Sequence, residues 1–249
     1  MNPYHVDLLE VRVYADRREL GRAAAQAAAD ALRQPCSALF AAAPSQNETL
    51  AALAETPGID WSQIHAFHLD EYVGATPESE HSFRRYLIRN LFSKVPIARF
   101  EGLQGEAPDL AAECLRYSAL LAAAYPTVGL LGIGENGHLA FNDPPAARFD
   151  DPALVRVVEL TEACRRQQVN DKTLPALEAV PRAALTVTIP ALMKVERLFI
   201  MVSGARKAEA IQAALHGPVS EACPASVLRT HPRAVMFLDR ESAGVALRK

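Results

Sequence analysis

Apolar positions along this chain recur with two periods, and their alternation predicts the architecture. Residues 9–14, Leu-Glu-Val-Arg-Val-Tyr, alternate as a strand with one buried face. An Ala-rich stretch at 20–32 follows with the helical period and strong helix propensity. Buried strands are predicted at 37–42, 65–69 and 128–131, where short apolar runs are bounded by polar or turn-forming residues. Further strands fit 155–160, 185–189, 198–202 and 234–238, and helices fit 82–92, 109–121, 163–169 and 206–216. Pro44-Ser45-Gln46-Asn47-Glu48 supplies the start of a helix running through Leu53. Strands and helices taking turns in this way predict an α/β fold. It should be a single doubly wound, largely parallel, Rossmann-like sheet with helices on both faces and right-handed crossovers. No low-complexity linker or repeat interrupts the alternation, so one domain is expected over residues 1–249.

Composition narrows the function classes. With 249 residues and 50% hydrophobic positions, the chain can bury a sizeable core. Lys and Arg number 26 against 29 Asp and Glu, giving a net charge of -3 and no basic excess to hold nucleic acid. The start, Met1-Asn2-Pro3-Tyr4-His5-Val6-Asp7, lacks the pattern of a secretory signal, and no apolar run is long enough to span a bilayer. A cytoplasmic protein without a membrane partner is therefore expected. Cys36, Cys114, Cys164 and Cys223 are scattered singly with no CxxC pair, which argues against a thiolate zinc site and a disulfide framework. All four read as buried or inert.

In a doubly wound sheet, ligands gather outside the carboxyl ends of the strands, and four polar groups fall there. The richest is Gly132-Ile133-Gly134-Glu135-Asn136-Gly137-His138-Leu139-Ala140-Phe141-Asn142-Asp143-Pro144-Pro145, directly after the apolar run 128–131. Its glycines permit unusual dihedrals or a close approach, and histidine is the side chain suited to exchanging protons near neutral pH. A tight turn whose histidine only caps backbone groups fits the loop alone equally well. Asp70 ends an apolar strand, where it is either a partly desolvated base or a cap for the next turn. Ser45 and the amides of Gln46 and Asn47 could cradle a phosphate at a helix start, although ordinary capping explains Ser45 too. Arg206 and Lys207 follow the strand at 198–202, placed either to pair with phosphate or to sit solvated at the surface. His68 reads as a packed strand residue, Trp61 as an anchor at the edge of the core, and His231 as lining the site or holding a turn. His5, His65 and His216 have no metal-ligand spacing.

Taken together, four segments resemble the family that joins glucosamine-6-phosphate deaminases to 6-phosphogluconolactonases, and within it the deaminase branch. They are Phe67-His68-Leu69-Asp70-Glu71-Tyr72-Val73-Gly74, the loop from Gly132 to Pro144, Ser203-Gly204-Ala205-Arg206-Lys207-Ala208, and Ser226-Val227-Leu228-Arg229-Thr230-His231-Pro232. They occur in the family's order over most of the chain. Leu69-Asp70-Glu71-Tyr72 and Phe141-Asn142-Asp143-Pro144 differ from the lactonase pattern and favour the deaminase. The resemblance implies an enzyme of amino-sugar catabolism converting glucosamine 6-phosphate and water to fructose 6-phosphate and ammonium, with neither metal nor organic cofactor. By similarity, Asp70 would move a proton between C2 and C1 of the opened sugar, and His138 would assist ring opening. Asp143 would hold the imidazole's tautomer, with Asn136 orienting it. Ser45, Gln46 and Lys207 would bind the phosphate. Oligomeric states from monomer to hexamer are compatible with the resemblance.

Several positions depart from the better-known pattern. Asp143 stands where such members carry Glu, and Asn136 stands where many carry Asp. An amide cannot stabilise an imidazolium with charge, so Asn136→Asp is expected to leave turnover intact or raise it. Ala42-Ala43-Pro44-Ser45 replaces a Thr-Gly-Gly-Thr loop, and Pro44 supplies no N–H. The phosphate-binding arginine of allosteric members falls near Asn170, with Arg165 and Arg166 close by, either substituting for it or lying on a helix surface. Val158 occupies the place of a lysine in the regulatory pocket for N-acetylglucosamine 6-phosphate, so hyperbolic kinetics without that activator are expected. Two alternatives share these motifs: a 6-phosphogluconolactonase-like hydrolase and a non-catalytic sugar-phosphate sensor.

Overall fold

The computed structural model describes residues 2–244; Met1 and 245–249, which the single-domain expectation includes, lie outside the described residues. The chain opens with β1 (Tyr4–Val6), β2 (Leu9–Tyr14), α1 (Arg17–Leu32), β3 (Cys36–Phe40) and α2 (Asn47–Glu55). It continues through β4 (Ile64–His68), β5 (Asp70–Tyr72), α3 (Phe83–Leu87), β6 (Arg99–Glu101), α4 (Leu110–Ala124) and β7 (Val128–Leu131). The last part comprises β8 (Val155–Glu159), α5 (Glu162–Asn170), β9 (Ala183–Val187), α6 (Ile189–Met193), β10 (Arg197–Val202), α7 (Ala208–His216), β11 (Ala234–Asp239) and α8 (Arg240–Ala243). None of the described helices is long and apolar enough to cross a membrane.

Eight strands form the main sheet in the order β1-β2-β11-β10-β7-β3-β4-β6, with only the β1–β2 pair antiparallel. Strand period divides the core into two layers, because successive side chains leave opposite faces. Ala38 and Phe40 of β3 pack with Leu20, Ala24, Ala28 and Leu32 of α1 and with Leu50 and Leu53 of α2. Leu39 between them joins the other layer, with Tyr117 and Leu121 of α4 and Ile211 and Leu215 of α7. Central β7 is buried along its whole length, as a parallel strand covered on both sides must be. Carboxylates close the helix starts: Asp16 accepts from the amides of Arg18 and Glu19 ahead of α1, and Asp109 from those of Ala111 and Ala112 ahead of α4. Each such cap contributes about 1 kcal/mol.

Three sequence expectations change in detail. The strands anticipated at 155–160 and 185–189 belong to a second, three-stranded antiparallel sheet, β5-β9-β8, rather than to the main one. Ile189 opens α6 instead of ending a strand, because Pro190 in the first turn needs no amide partner there. The helix expected over 82–92 is α3 followed by a wider π turn at Ile88–Phe92.

The order of strand succession reverses between the parallel neighbours β3 and β7. From β3 the order runs outward to β4 and β6, and from β7 it runs the other way to β10 and β11. Ligand sites of open α/β sheets form where the strand order reverses in this way. The loops leaving β3 and β7 are 41–46 and 132–145, the two that carry Ser45 and His138.

Candidate active site

One cleft of about 500 Å³ lies over this reversal and is lined by Ser45, Asp70, His138, Ser203 and Lys207, among others. All four groups anticipated at the strand ends thus share one cavity. Asn136, Asp143 and Gln46 stand behind its wall.

Leu69 sets the position of Asp70. Its amide donates to Phe40 of the main sheet at 3.2 Å, while its carbonyl accepts from Val187 of the second sheet at 2.8 Å. The chain therefore crosses between sheets at this residue, and Asp70 emerges at the junction, paired in register with Thr186. The two neighbouring carboxylates have opposite environments. Glu71 is wholly enclosed and accepts from the amides of Tyr72, Phe83 and Arg84 and from the Ser82 hydroxyl at 2.7 Å. It anchors the start of α3. Asp70 is buried, and among the described residues no donor hydrogen-bonds its carboxylate. Burial, reinforced by the charge of Glu71, pushes the Asp70 carboxyl from its ordinary 3.8 up to about 8. A carboxylate so poorly solvated is a strong base once ionised.

The His138 loop is shaped by local hydrogen bonds. The Gly134 amide donates to the His138 carbonyl at 2.9 Å, and the Gly137 amide donates back to Gly134 at 3.1 Å. Gly137 has φ +83°, and a Cβ there would also lie 2.7 Å from Cys223 Sγ. A side chain on Gly134 would fall inside the imidazole of His138. The glycine spacing therefore provides both the turn and the room for the ring. Phe141 donates its amide to Thr186 Oγ1 at 3.0 Å, and Asn142 Nδ2 reaches the Val187 carbonyl at 2.8 Å, tying the loop to β9.

His138 Nδ1 lies 2.8 Å from Asn136 Oδ1 and 3.0 Å from Asp143 Oδ1. Flanked by two acceptors, Nδ1 is assigned the proton, which leaves Nε2 as the nitrogen for exchange. Asn136 Nδ2 donates to the same Asp143 oxygen at 2.6 Å, and the Thr161 hydroxyl donates to the other one. Burial raises the Asp143 carboxyl, but the bonds from His138, Thr161 and Asn136 and the attraction of His138 outweigh it, so the group stays below its ordinary range. This triangle reverses the reasoning about Asn136→Asp. A carboxylate at 136 loses the donor to Asp143 and faces a like charge across the same contact.

In the same cleft, Lys207 is buried and forms no ion pair among the described residues. Burial lowers its pKa, opposed by the charges of Asp171 and Glu135. A buried cation lacking a direct partner calls for an anion. Arg206, next to it, is held by Glu135 at 2.9 Å and Asp171 at 3.2 Å. Ser45 lines the cleft, but the amides of Gln46 and Asn47 are already bound to the carbonyls of Ala43 and Pro44. The expected amide cradle is thus replaced by a closed 3₁₀ turn. Gln46 is also corrected from ligand to support, since its buried Nε2 donates to Leu131 at 3.1 Å and to Ser45 Oγ at 3.2 Å.

Sequence reasoning passed over Thr161, Gln167 and Thr186. Thr161 could be read as the cap of α5, and it does accept from the Cys164 amide at 3.1 Å, but its second bond to Asp143 has no local signal. Gln167 Oε1 accepts from the Glu135 amide at 2.7 Å and holds α5 against the loop. Neither arginine near Asn170 reaches the cleft. Arg165 donates to the carbonyls of Leu177 and Val180, and Arg166 pairs with Glu162 on the exposed face of α5. His231 holds a turn between the Val195 carbonyl at 2.8 Å and the Arg233 amide at 3.1 Å. His68 accepts from the Leu103 amide at 2.7 Å, and burial drives its pKa down to about 3. Trp61 is buried in the core layer of α1 and α2.

Comparison with known proteins places these features in context. The family pattern described as glucosamine-6-phosphate isomerases/6-phosphogluconolactonase matches residues 17–237. A glucosamine-6-phosphate deaminase of Bacillus thuringiensis (strain Al Hakam) is 39% identical over 184 residues, covering 74% of this chain and 68% of that protein. A solved monomeric glucosamine-6-phosphate deaminase, described as a missing link of the NagB superfamily, superposes with a TM-score of 0.87 at 33% identity, covering 94% of this chain and 98% of that one. The 6-phosphogluconolactonase of Trypanosoma brucei superposes with a TM-score of 0.74 at 19% identity, over 94% and 97% of the two chains, a likeness of fold alone.

Proposed function

The chain belongs to the family of glucosamine-6-phosphate isomerases and 6-phosphogluconolactonases, and we propose that within it this protein is a glucosamine-6-phosphate deaminase. One observation carries the reading: a single cleft holds a buried, undonated carboxylate, Asp70, and a buried lysine without an ion-pair partner, Lys207. The lysine suits a phosphate, and the Ser45 hydroxyl lines the same cleft. The carboxylate suits abstraction of a weakly acidic proton next to a carbonyl.

In this reading Nε2 of His138 takes the proton of the C1 hydroxyl and passes it to the ring oxygen as the C1–O5 bond breaks, giving the open-chain aldehyde. Asp143 and Asn136 hold its tautomer and so act as positioning residues. Asp70 takes the C2 proton to form an enolamine and returns it to C1, which yields a C2 imine. Water adds to that imine, and ammonium leaves as the C2 ketone of fructose 6-phosphate forms. The roles of Asp70 and His138 are supported by their burial in one cleft and by the hydrogen bonds fixing the imidazole.

The test is a coupled assay of fructose 6-phosphate and ammonium across epimeric amino-sugar phosphates, beside hydrolysis of 6-phosphogluconolactone. Equal yields of the two products from glucosamine 6-phosphate are expected, falling roughly 10²- to 10⁴-fold in Asp70→Asn and His138→Gln. Lactone hydrolysis without deamination overturns the reading in favour of a lactonase. Tight binding without turnover, indifferent to Asp70→Asn, overturns it in favour of a sensor.

A further inference from the structure

Three side chains of metal-ligating type meet at the cleft wall, His138 lining the cleft and Asp143 and Cys164 behind it. One ligand atom each from His138, Asp143 and Cys164 lie within 4.8 Å of one another, and all three residues are buried. Thr161 explains why the thiol arrives there. Its hydroxyl bonds Asp143 and also caps the Cys164 amide, so the first turn of α5 is drawn onto the His138–Asp143 pair and carries Cys164 with it. Burial, followed by the charges of Asp143 and Asp70, pushes the thiol's pKa upward, so without a metal it stays protonated and takes no part in the deamination chemistry.

We propose that His138, Asp143 and Cys164 form a site for a thiophilic divalent cation of the zinc class, and that its occupation silences the enzyme. One imidazole, one carboxylate and one thiolate match the mixed donor sets of zinc. Tetrahedral zinc with bonds of about 2.0–2.3 Å spaces its ligand atoms about 3.3–3.7 Å apart, so the cluster closes with a movement of about 1 Å. His138 Nδ1 and Asp143 Oδ1 are already 3.0 Å apart. Asn136 Oδ1, 2.8 Å from the same nitrogen, is a protein oxygen available for a fourth position.

Binding displaces the thiol proton to solvent, and the two anionic ligands balance the charge of the cation. Coordination through Nδ1 also forces the imidazole proton onto Nε2, the nitrogen that exchanges with substrate. The ring can then neither accept a proton there nor lean on Asp143. The metal site stands on the side-chain cluster, whereas its inhibitory effect rests on the proposed role of His138.

Cobalt(II) titration of the full chain tests the two parts separately. The absorption of wild type is compared with Cys164→Ser and Cys164→Ala, proton release is followed by pH-stat, and turnover is measured against zinc. Wild type should develop a thiolate-to-cobalt band saturating at about one metal per chain, with about one proton released for each. Both variants should lose the band, keep their metal-free turnover, and need at least about tenfold more zinc for half-inhibition, since loss of supporting contacts alone weakens metal sites about 10- to 100-fold. Absence of the band in wild type, or its survival in both variants, overturns the site. A Cys164-dependent band with turnover untouched by saturating zinc overturns the inhibitory role. Should the metal-free protein turn over no amino-sugar phosphate, the deaminase reading fails, while the band still decides the site.

Discussion

Replacing Asp70 with Asn should stabilise the protein as it destroys turnover, and the two effects can be separated by pH. A carboxyl whose folded value exceeds its unfolded one holds its proton more tightly when folded. It has no effect on stability below about pH 4, where both states are protonated, and destabilises the fold increasingly as pH rises towards about 8. With 1.36 kcal/mol for each unit between 3.8 and the working pH, the penalty is about 2 kcal/mol at pH 5 and about 5 kcal/mol at pH 7.5. Asn copies the shape of the protonated group and does not titrate, so the variant escapes this penalty. Its advantage over wild type should grow by about 3 kcal/mol between the two pH values, roughly 6–12 °C in Tm for a chain of this size. Urea unfolding of both proteins at pH 5 and pH 7.5 measures it directly, beside the turnover assay. A stability difference that does not change with pH, or a variant weaker than wild type at pH 7.5, would refute the claim that Asp70 sits in a desolvated, undonated position.

The same ionisation should govern catalysis: kcat/KM is expected to rise about tenfold per pH unit up to about pH 8 and to level off above it, and a flat profile between pH 6 and 9 removes Asp70 as the base. Gly134→Ala places a methyl in the imidazole's space, so turnover should fall about 100-fold or more while the far-ultraviolet circular dichroism is retained; a fully active variant contradicts the loop geometry. Asn136→Asp exchanges a charge-assisted hydrogen bond for repulsion, and at about 1.5–3 kcal/mol the loss in kcat should be about 10- to 100-fold. Unchanged or faster turnover would restore the expectation drawn from sequence. Velocity curves should be hyperbolic and indifferent to N-acetylglucosamine 6-phosphate, because Val158 is a buried apolar residue of β8; sigmoidal curves relieved by that compound contradict this.

Much of this protein was legible in its order of residues. Periodicity located most strands and helices, because a buried parallel strand such as β7 must be apolar on both faces and an amphipathic helix such as α1 only on one. Asp70, His138 and Lys207 could be picked out because strand ends of an alternating α/β chain converge by topology, whatever their separation along the chain. What remained hidden depended on contacts between distant segments. Local pattern cannot say to which sheet a strand belongs, so β8 and β9 were assigned to the main sheet, and the crossing at Leu69 that exposes Asp70 at a junction went unseen. The turn at Gln46 was read as free amides because hydrogen-bond partners are a property of the folded backbone. Cys164, isolated in sequence and dismissed as a ligand on spacing, reaches the His138–Asp143 pair only through the bond between Thr161 and Asp143. Sequence by itself thus determined which chemical groups stand at the strand ends, since that follows from periodicity and element order. Tertiary structure alone decided their ionisation, hydrogen-bond partners and neighbours, because desolvation and close contact exist only once remote segments are packed together.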